Sequence, residues 1–260
     1  MNIIVCLKQV FATDARIKIA PDGKTVSEEQ VEWIMSPYDE YALEEALRIR
    51  EAKGAGKITA LTLGPERCTT LLRSALALGV DAAVHLKDPL FDKLDALGVA
   101  RVLAEAIKKI PYDLLLFGKQ GVGMDQGLVQ SIVAELLGLP LANIVTKLSV
   151  EASKVRCLRE VDGGSEWVEC DLPAIVSAQK GLNDPRIANL KGIMGAKKKP
   201  IDVWNAESLG LTADSLGAST LSHDSYVLPP PRKAGRILQG TPDDTAPQLV
   251  SLLRNEAKII

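Results

Sequence analysis

The chain has 260 residues, of which 47% are hydrophobic and 25% are charged, and this composition excludes a globally disordered protein because it can supply a sizeable core. Its 31 basic and 33 acidic residues give a formal net charge of -2, so the chain lacks the positive field that would favour nucleic acid or an anionic membrane as a partner. No uninterrupted apolar stretch approaches the roughly 18 to 20 residues that span a bilayer, and no transmembrane segment is predicted.

The opening sequence lacks the features of a secretory signal. Met1–Val5 has no basic region and is not followed by a small-residue cleavage site. We therefore expect a cytoplasmic protein, or a mitochondrial matrix protein if the source is eukaryotic. The cysteines Cys6, Cys68, Cys157 and Cys170 are far apart and form no CxxC pair, which favours reduced structural thiols over a zinc site or a disulfide framework.

Apolar runs of strand length alternate with helical patterns in the first half of the chain. The predicted strands are Ile3 to Leu7, Ile58 to Leu63, Ala82 to Leu86 and Leu114 to Phe117. This alternation predicts an α/β fold, with a doubly wound, mostly parallel sheet that has helices on both faces. Three of the helices are predicted to end at Gly54, Gly79 and Gly138.

The helix from about Pro37 to Lys53 has a well-marked start. Ser36 can cap it, Pro37 suits the first helical position, and Asp39 is an acid in the first turn, where the helix dipole favours negative charge.

The pattern changes after Ala142 to that of antiparallel strands joined by tight turns. The predicted strands are Ile144 to Val150, Lys154 to Arg159 and Glu166 to Cys170, with a turn at Asp162–Ser165 and one more buried strand at Pro173 to Ala178.

The apolar pattern weakens after about Trp204. We expect an extended stretch at Leu228–Arg232 and a capped helix from Thr241 to about Lys258. The predicted organisation is a nucleotide-binding α/β domain at 1–205 and, at 206–260, a C-terminal arm and helix with too little apolar sequence for a core of its own.

A buried strand runs into a glycine-dense loop and then into a helix over Leu114–Gly127. Glycines let backbone N–H groups approach a phosphate, and a helix N-terminus adds partial positive charge. The predicted ligand of this loop is therefore a nucleotide phosphate. The spacing matches neither G-x-G-x-x-G nor the P-loop, and a tight turn without a ligand is an equal alternative. Two other strand ends, after Lys8 and at Leu63–Pro65, point to the same sheet edge and favour a ligand there.

No catalytic or metal-binding constellation is recognisable. His85, within a predicted strand, and His223, in the tail, belong to no recognisable nucleophile or carboxylate constellation, and core or surface roles are favoured for both. Glu44 and Glu45 are interpreted as part of a solvated helix face. Lys197–Lys199 is interpreted in the same way, with an acidic partner surface as the alternative.

Three segments resemble the electron-transfer flavoprotein beta-subunit family. They are Met35–Ala46, Arg159–Gly164 and Leu182–Lys199. The last resembles the family pattern L-N-E-P-R-x-x-x-L-x-x-I-M-x-A-K-K-K, with Asp184 in place of the glutamate and Gly195 in place of a frequent lysine. The resemblance covers essentially the whole chain and implies a Rossmann-like sheet of the adenine-nucleotide-binding type.

The resemblance implies a heterodimer in which the alpha subunit holds the redox-active FAD and the 206–260 arm packs on that subunit. Electrons would come from flavin-dependent dehydrogenases, such as those of fatty acid beta-oxidation, and pass to a quinone oxidoreductase or another acceptor. The beta subunit would contribute no catalytic residue and would bind AMP as a structural nucleotide. The AMP-binding residues implied are Cys6, Ser36, Pro37, Tyr38, Asp39 and Leu63, with the loop residues Gly118, Lys119, Gln120, Gly121, Val122, Gly123, Met124, Asp125, Gln126, Gly127, Leu128 and Val129.

Two further roles follow from the resemblance. Leu190 corresponds to the anchor leucine of a recognition loop, which comprises residues 182–199 here. In the family this leucine inserts into an apolar pocket of the dehydrogenase, and Ile193 and Met194 lie beside it in the docking surface. The alternative is that Leu190 packs on its own subunit. Glu160 matches an acid that, in the family, helps to orient the mobile flavin domain. The alternative interpretation is that Glu160 is an ordinary solvent-exposed glutamate of a strand.

The glycine loop departs from the family pattern at Val129, where relatives carry a hydroxyl side chain near the phosphate. Electron-bifurcating relatives bind a second FAD at this site and oxidise NADH, so FAD is an alternative to AMP. A third hypothesis, of another class, is a free-standing adenine-nucleotide-binding regulatory protein, since a fold does not determine a function.

Overall fold

The computed structural model describes residues 1–219, 221, 224–232 and 234–260. These form two compact units, the first built from Met1–Ile17 and Ser27–Asp224 and the second from Lys18–Val26 and Ser225–Ile260. The predicted division at residue 205, with packing of 206–260 on a partner subunit, stays a prediction.

The described part of the chain contains eleven strands. They are β1 (Asn2–Cys6), β2 (Gln9–Phe11), β3 (Trp33–Met35), β4 (Lys57–Leu63), β5 (Ala82–Leu86), β6 (Leu114–Gly118), β7 (Leu141–Val150), β8 (Lys154–Val161), β9 (Gly164–Asp171), β10 (Ala174–Ala178) and β11 (Asp202–Trp204). Its α-helices are α1 (Pro37–Lys53), α2 (Cys68–Leu78), α3 (Ala96–Ile107), α4 (Val129–Leu137), α5 (Leu190–Ala196), α6 (Ala206–Leu209), α7 (Ala213–Leu216) and α8 (Pro242–Leu252).

Nine of these strands form the main sheet of the first unit, in the order β11-β5-β4-β1-β6-β10-β7-β8-β9. The strands from β11 to β7 are parallel, and β8 and β9 continue the sheet as antiparallel strands. The predicted α/β fold with appended antiparallel strands is therefore confirmed. From β1 the chain proceeds outward to β4 and β5 and later returns to β6 on the other side of β1. This places a topological switch point, where such sheets bind ligands, between β1 and β6.

The core lies on both faces of the parallel strands, because alternate residues of a strand point to opposite faces. Ile3 and Val5 of β1 pack with α1 and α2 on one face, through residues such as Leu43 and Leu72. Ile4 packs on the other face, in the cluster that includes residues of α3 and α4. Burial on both faces explains why these strands are continuous apolar runs in the sequence.

The helix ends agree closely with expectation, but one start does not. Gly54, Gly79 and Gly138 each follow a helix in the left-handed conformation. Ser36 occupies the N-cap position of α1 without capping it. Its hydroxyl donates instead to the carbonyl of Gln120, in the glycine loop, at 3.4 Å.

The shortest strands were not predicted from the sequence. Strands β2 and β3, which pair antiparallel as a separate two-stranded sheet, and the parallel edge strand β11 have three residues each, too few for a periodic signal. Strand β9 begins at Gly164, so the turn predicted at Asp162–Ser165 narrows to Asp162–Gly163.

The second unit contains a bridge between Ile19 and Val26, and the N–H of Tyr226 donates to the carbonyl of Gly23 at 2.9 Å. Thr241 starts α8 as predicted, with its hydroxyl donating to Asp244 at 2.6 Å. The α-helix ends at Leu252, short of the predicted Lys258, and a wider π turn follows it. None of the helices in the described part of the chain is both long enough and apolar enough to cross a membrane.

Candidate functional site

The crevice at the switch point is formed by the loops that follow β1, β4 and β6. Ladder pairing aligns these strands, so that Cys6, at the end of β1, pairs with Leu61 of β4. The N–H of Leu7 then donates to the carbonyl of Leu61 at 2.9 Å, and the Thr62 hydroxyl donates to the carbonyl of Leu7 at 2.7 Å. The strand ends that the sequence predicted at one edge are held together there.

Asp39 joins the two strands on either side of the switch point. Its carboxylate is buried in the first turn of α1 and accepts the N–H of Lys8 at 2.6 Å and the N–H of Gly118 at 3.0 Å. Burial raises the pKa of Asp39 to about 7, while the two N–H groups, which favour the ionised form, oppose that rise. One carboxyl group therefore fastens both edges of the crevice.

Gly118 is the residue at which β6 meets α1 most closely. A Cβ atom at this position would overlap the Asp39 carboxylate and the backbone carbonyl carbon of Tyr38. Only glycine permits this approach, and the Gly118 N–H reaches Asp39 because of it. The first glycine of the loop thus positions α1 against the sheet.

The glycine loop beyond Gly118 has a defined conformation. Gly123, with a φ of +94°, Asp125 and Gly127 are left-handed, which turns the chain sharply before α4. The Gln120 side chain donates to the Asp125 carboxylate at 2.8 Å. This hydrogen bond and the three left-handed residues fix the course of the loop between β6 and α4.

Gln130, on the first turn of α4, braces this loop from below. Its buried side-chain amide donates to the carbonyl of Lys119 at 2.7 Å and to that of Gly127 at 2.9 Å. Sequence reasoning ended the site at Val129 and missed this residue. A glutamine directly after a glycine-rich loop, at a helix start, is the signal that could have revealed it.

Two cations border the crevice. Lys119 lies over the Tyr38 ring, with its ammonium 4.8 Å from the ring centroid. Lys8 lies against Gly121, where a Cβ would collide with the lysine side chain. Desolvation lowers the pKa of Lys8, and the carboxylates of Asp39 and Asp125 oppose that change. Lys8 was not among the predicted site residues, although a cation immediately after the first strand was visible in the sequence.

The other predicted residues surround this centre. Cys6 is buried in the core, and burial raises the pKa of its thiol, so it is poorly suited to act as a nucleophile. Leu63 is half-buried at the end of β4, whereas Met124 and Leu128 are about half exposed on the outer part of the loop. The structure brings the predicted set together at one edge. Ser36 and Asp39 are buried there, Pro37 and Tyr38 are half-buried, and Gln126 is exposed on the outer part of the loop.

Glu160 lies farther along the same edge. It is exposed near the end of β8, and its carboxylate accepts the Gln179 side-chain amide at 2.7 Å, directly after β10. A glutamate held by one hydrogen bond keeps most of its charge available to a neighbouring molecule.

The recognition loop is fastened to α1 by two of its polar residues. Arg186 donates from Nε to Glu44 at 2.7 Å and from Nη2 to Glu51 at 3.0 Å. Asn183 donates to the Glu45 carboxylate and to the carbonyl of Tyr41, both at 2.9 Å. Arg186 lowers the pKa of Glu44 despite the desolvation of that carboxyl.

The prediction that Glu44 and Glu45 lie on a solvated face is wrong. Both are buried, with exposed fractions of 4% and 8%. They receive a loop that lies about 140 positions later in the chain, a contact that helical periodicity cannot foresee because it depends on the tertiary fold.

Four apolar side chains of this loop face solvent. Leu190 is 76% exposed, and Ile193 and Met194 are about half exposed. Ile187, which sequence reasoning did not select, is 94% exposed. Helix α5 carries Leu190 and packs on α2, where Gly192 approaches the carbonyl of Ala77 too closely for any side chain. The alternative, that Leu190 packs on its own subunit, finds no support in these exposures.

The remaining candidates have structural surroundings. His85 is buried in β5, with its Nε2 2.9 Å from the carbonyl of Gly64, while His223 lies outside the described residues. Lys199 donates to the carbonyl of Val80, so it is not purely solvated. Within the described residues, no group of His, Cys, Asp or Glu side chains is arranged to hold a metal ion.

Comparison with known proteins places this chain among related sequences. Residues 23–209 match the family model described as "Electron transfer flavoprotein domain". The chain is 40% identical to the electron transfer flavoprotein subunit beta of Bacillus subtilis over 262 residues, covering all of both chains. It is 37% identical to the mouse protein of that name, over all of this chain and 99% of the other. It is 35% identical to the caffeyl-CoA reductase-Etf complex subunit CarD of Acetobacterium woodii, over 98% of this chain and 99% of the other.

Proposed function

Because the chain belongs to the electron transfer flavoprotein beta-subunit family, we propose that it pairs with an alpha subunit that holds the redox-active FAD and that it carries AMP in the switch-point crevice. Electrons would enter this FAD from flavin-dependent dehydrogenases and leave for a quinone oxidoreductase or another acceptor. The beta subunit would supply a scaffold, a structural nucleotide and a docking loop, with no catalytic residue of its own.

The observation that carries the nucleotide proposal is the construction of the crevice around Asp39. The Asp39 carboxylate joins the ends of β1 and β6 by accepting the N–H groups of Lys8 and Gly118, and Gln130 holds the glycine loop beside them. Lys8 and Lys119 add positive charge at the same edge. Backbone amides and cations at a helix start suit a phosphate, and the half-buried Leu63 leaves apolar surface for a base.

AMP rather than FAD is expected in this subunit, and the nucleotide content of the heterodimer tests this. The chain is co-expressed with its alpha partner, the complex is denatured, and the released AMP and FAD are quantified. We expect one AMP and one FAD per heterodimer. A nucleotide that binds only the folded state should also raise the melting temperature when it is added back.

The second candidate function is electron bifurcation with FAD in the crevice. The similarity to a subunit of a caffeyl-CoA reductase complex, and Val129 where a hydroxyl is usual, keep this candidate open. Two FAD and no AMP per heterodimer, with bleaching by NADH, would replace the AMP proposal by this one.

The recognition loop is proposed to dock the dehydrogenase through Leu190, with Ile187, Ile193 and Met194 beside it. Leu190→Ala is expected to weaken binding of the dehydrogenase by about 2 kcal/mol, or about 30-fold, as the loss of an interface anchor does. Binding is measured by calorimetry together with flavin and AMP content, which should stay unchanged. Leu136→Ala, at an exposed leucine of α4, is the matched control. Equal affinities of the two variants would contradict the docking role.

Glu160 is proposed to help orient the FAD-bearing domain of the alpha subunit. Its carboxylate is exposed and is held by Gln179. An exposed carboxylate is better suited to a transient ion pair with a moving domain than to a permanent contact.

A further inference from the structure

A cavity of about 450 Å³ lies beside the recognition loop. The two-stranded sheet of β2 and β3 forms one wall, α1 and α2 form the others, and Pro185–Ile187 of the loop also line the cavity. The nucleotide crevice is built from other loops, and of its predicted residues none lines this cavity. The proposed function therefore assigns no role to this space.

The cavity lining combines buried apolar side chains with acidic groups. Met35, Leu47 and Leu71 are buried. Three carboxylates, of Glu32, Glu40 and Glu44, and one guanidinium, of Arg186, are among the lining groups, so the charged lining side chains carry a net charge of 1 - 3 = -2.

The carboxylates differ in whether they are already paired. Glu44 is bonded to Arg48 and Arg186. Glu32 and Glu40 form no ion pair with any basic side chain in the described part of the chain. Desolvation raises the pKa of Glu40, as expected for a carboxylate that is partly removed from water without a compensating cation.

A long cationic side chain matches this arrangement. The methylene stem of a lysine or arginine packs on apolar surface while its charged head stays at a polar edge. The cavity offers both features, because its apolar residues Met35, Leu47 and Leu71 are buried whereas Glu32 and Glu40 are exposed to solvent. It also continues the exposed apolar surface of the recognition loop, because Ile187 belongs to both.

We propose that this cavity binds a lysine or arginine side chain of the protein that docks on the recognition loop. The identity of the docked protein rests on the proposed function, whereas the chemistry of the cavity does not. Leu190 would supply the apolar anchor, and Glu32 and Glu40 would add the charge selectivity that the loop itself lacks.

The first test uses a small probe and the intact heterodimer. Binding of N-acetyl-L-arginine amide is followed by saturation-transfer difference NMR, with the citrulline analogue as the uncharged match. We expect saturable millimolar binding of the arginine probe, weakened by at least about five-fold in Glu32→Gln/Glu40→Gln, and weaker binding of the citrulline probe. Equal binding to wild type and double variant, or equal binding of both probes, overturns the proposal.

Matched variants show whether a loss of probe binding comes from the cavity itself, from misfolding or from a failure of the docking proposal. Glu29→Gln removes an exposed charge from the same segment outside the cavity and should leave probe binding unchanged. Melting temperatures of all variants should agree with wild type, and Glu40→Gln alone replaces the double variant if they do not. Leu190→Ala should bind the probe normally, so failure of the docking role and failure of the cavity give different results.

Discussion

Replacing Asp39 by alanine is expected to lower the free energy of unfolding by about 2 to 6 kcal/mol, because the buried N–H of Gly118 and the partly buried N–H of Lys8 lose their acceptors and each unsatisfied group costs about 1 to 3 kcal/mol. The ends of β1 and β6 would separate, so AMP content should fall as well. Urea unfolding and nucleotide quantification of the heterodimer measure both effects.

Asp113 provides the control at the opposite end of the same two strands. Its carboxylate accepts the N–H of Asn2 at 2.6 Å, but it is exposed, so water can replace it. Asp113→Ala should cost less than Asp39→Ala and leave AMP content unchanged. If Asp39→Ala keeps full stability and full AMP content, the carboxylate does not hold the crevice.

The titration of Asp39 gives this prediction a pH signature. Burial raises its pKa from 3.8 to about 7 in the folded state, so between these values the folded state binds the proton more tightly than the unfolded state does. Stability from this group is therefore greatest at the acidic end of the window and falls as pH rises towards about 7. From pH 8 to pH 6 the gain is roughly 1.4 kcal/mol, and Asp39→Asn should remove it.

Replacing Arg186 by alanine is expected to release the recognition loop from α1. The free energy of unfolding should fall by about 2 to 3 kcal/mol, since Glu44 stays buried after losing its main partner. The dehydrogenase should bind at least about ten-fold more weakly, because Leu190 would be presented from a mobile loop. Hydrogen exchange of residues 183–199 and binding calorimetry measure these changes, and AMP content should stay constant.

Arg48→Ala is the matched control for this variant. Arg48 also bonds Glu44, at 3.1 Å, but from the same helix, so it does not hold the loop. It should cost only about 0.3 to 0.5 kcal/mol, because Arg48 is itself half exposed and Glu44 keeps Arg186 as its partner, and it should leave docking intact. Equal loss of docking in both variants would show that the charge on Glu44 matters rather than the attachment of the loop.

Much of the fold followed from local patterns in the chain. Strands buried on both faces appear as short continuous apolar runs, and glycines that end helices need only their own backbone conformation, so both were predictable. The motif at residues 182–199 was specific enough to indicate the family, which the comparisons confirm. The three-residue strands β2, β3 and β11 were not predictable, because periodicity needs more residues than they contain.

Contacts between distant segments were decided only by the tertiary structure. The sequence by itself determined that Asp39 lies in the first turn of a helix and that Glu44 and Glu45 follow on the same helix. For Glu44 and Glu45 a solvated face was inferred. Folding instead places the ends of β1 and β6 against Asp39 and the recognition loop against Glu44 and Glu45. The physical reason is that helix and strand periodicity record only which residues turn inward together. Which partner satisfies a buried charge depends on how segments far apart in the chain are packed.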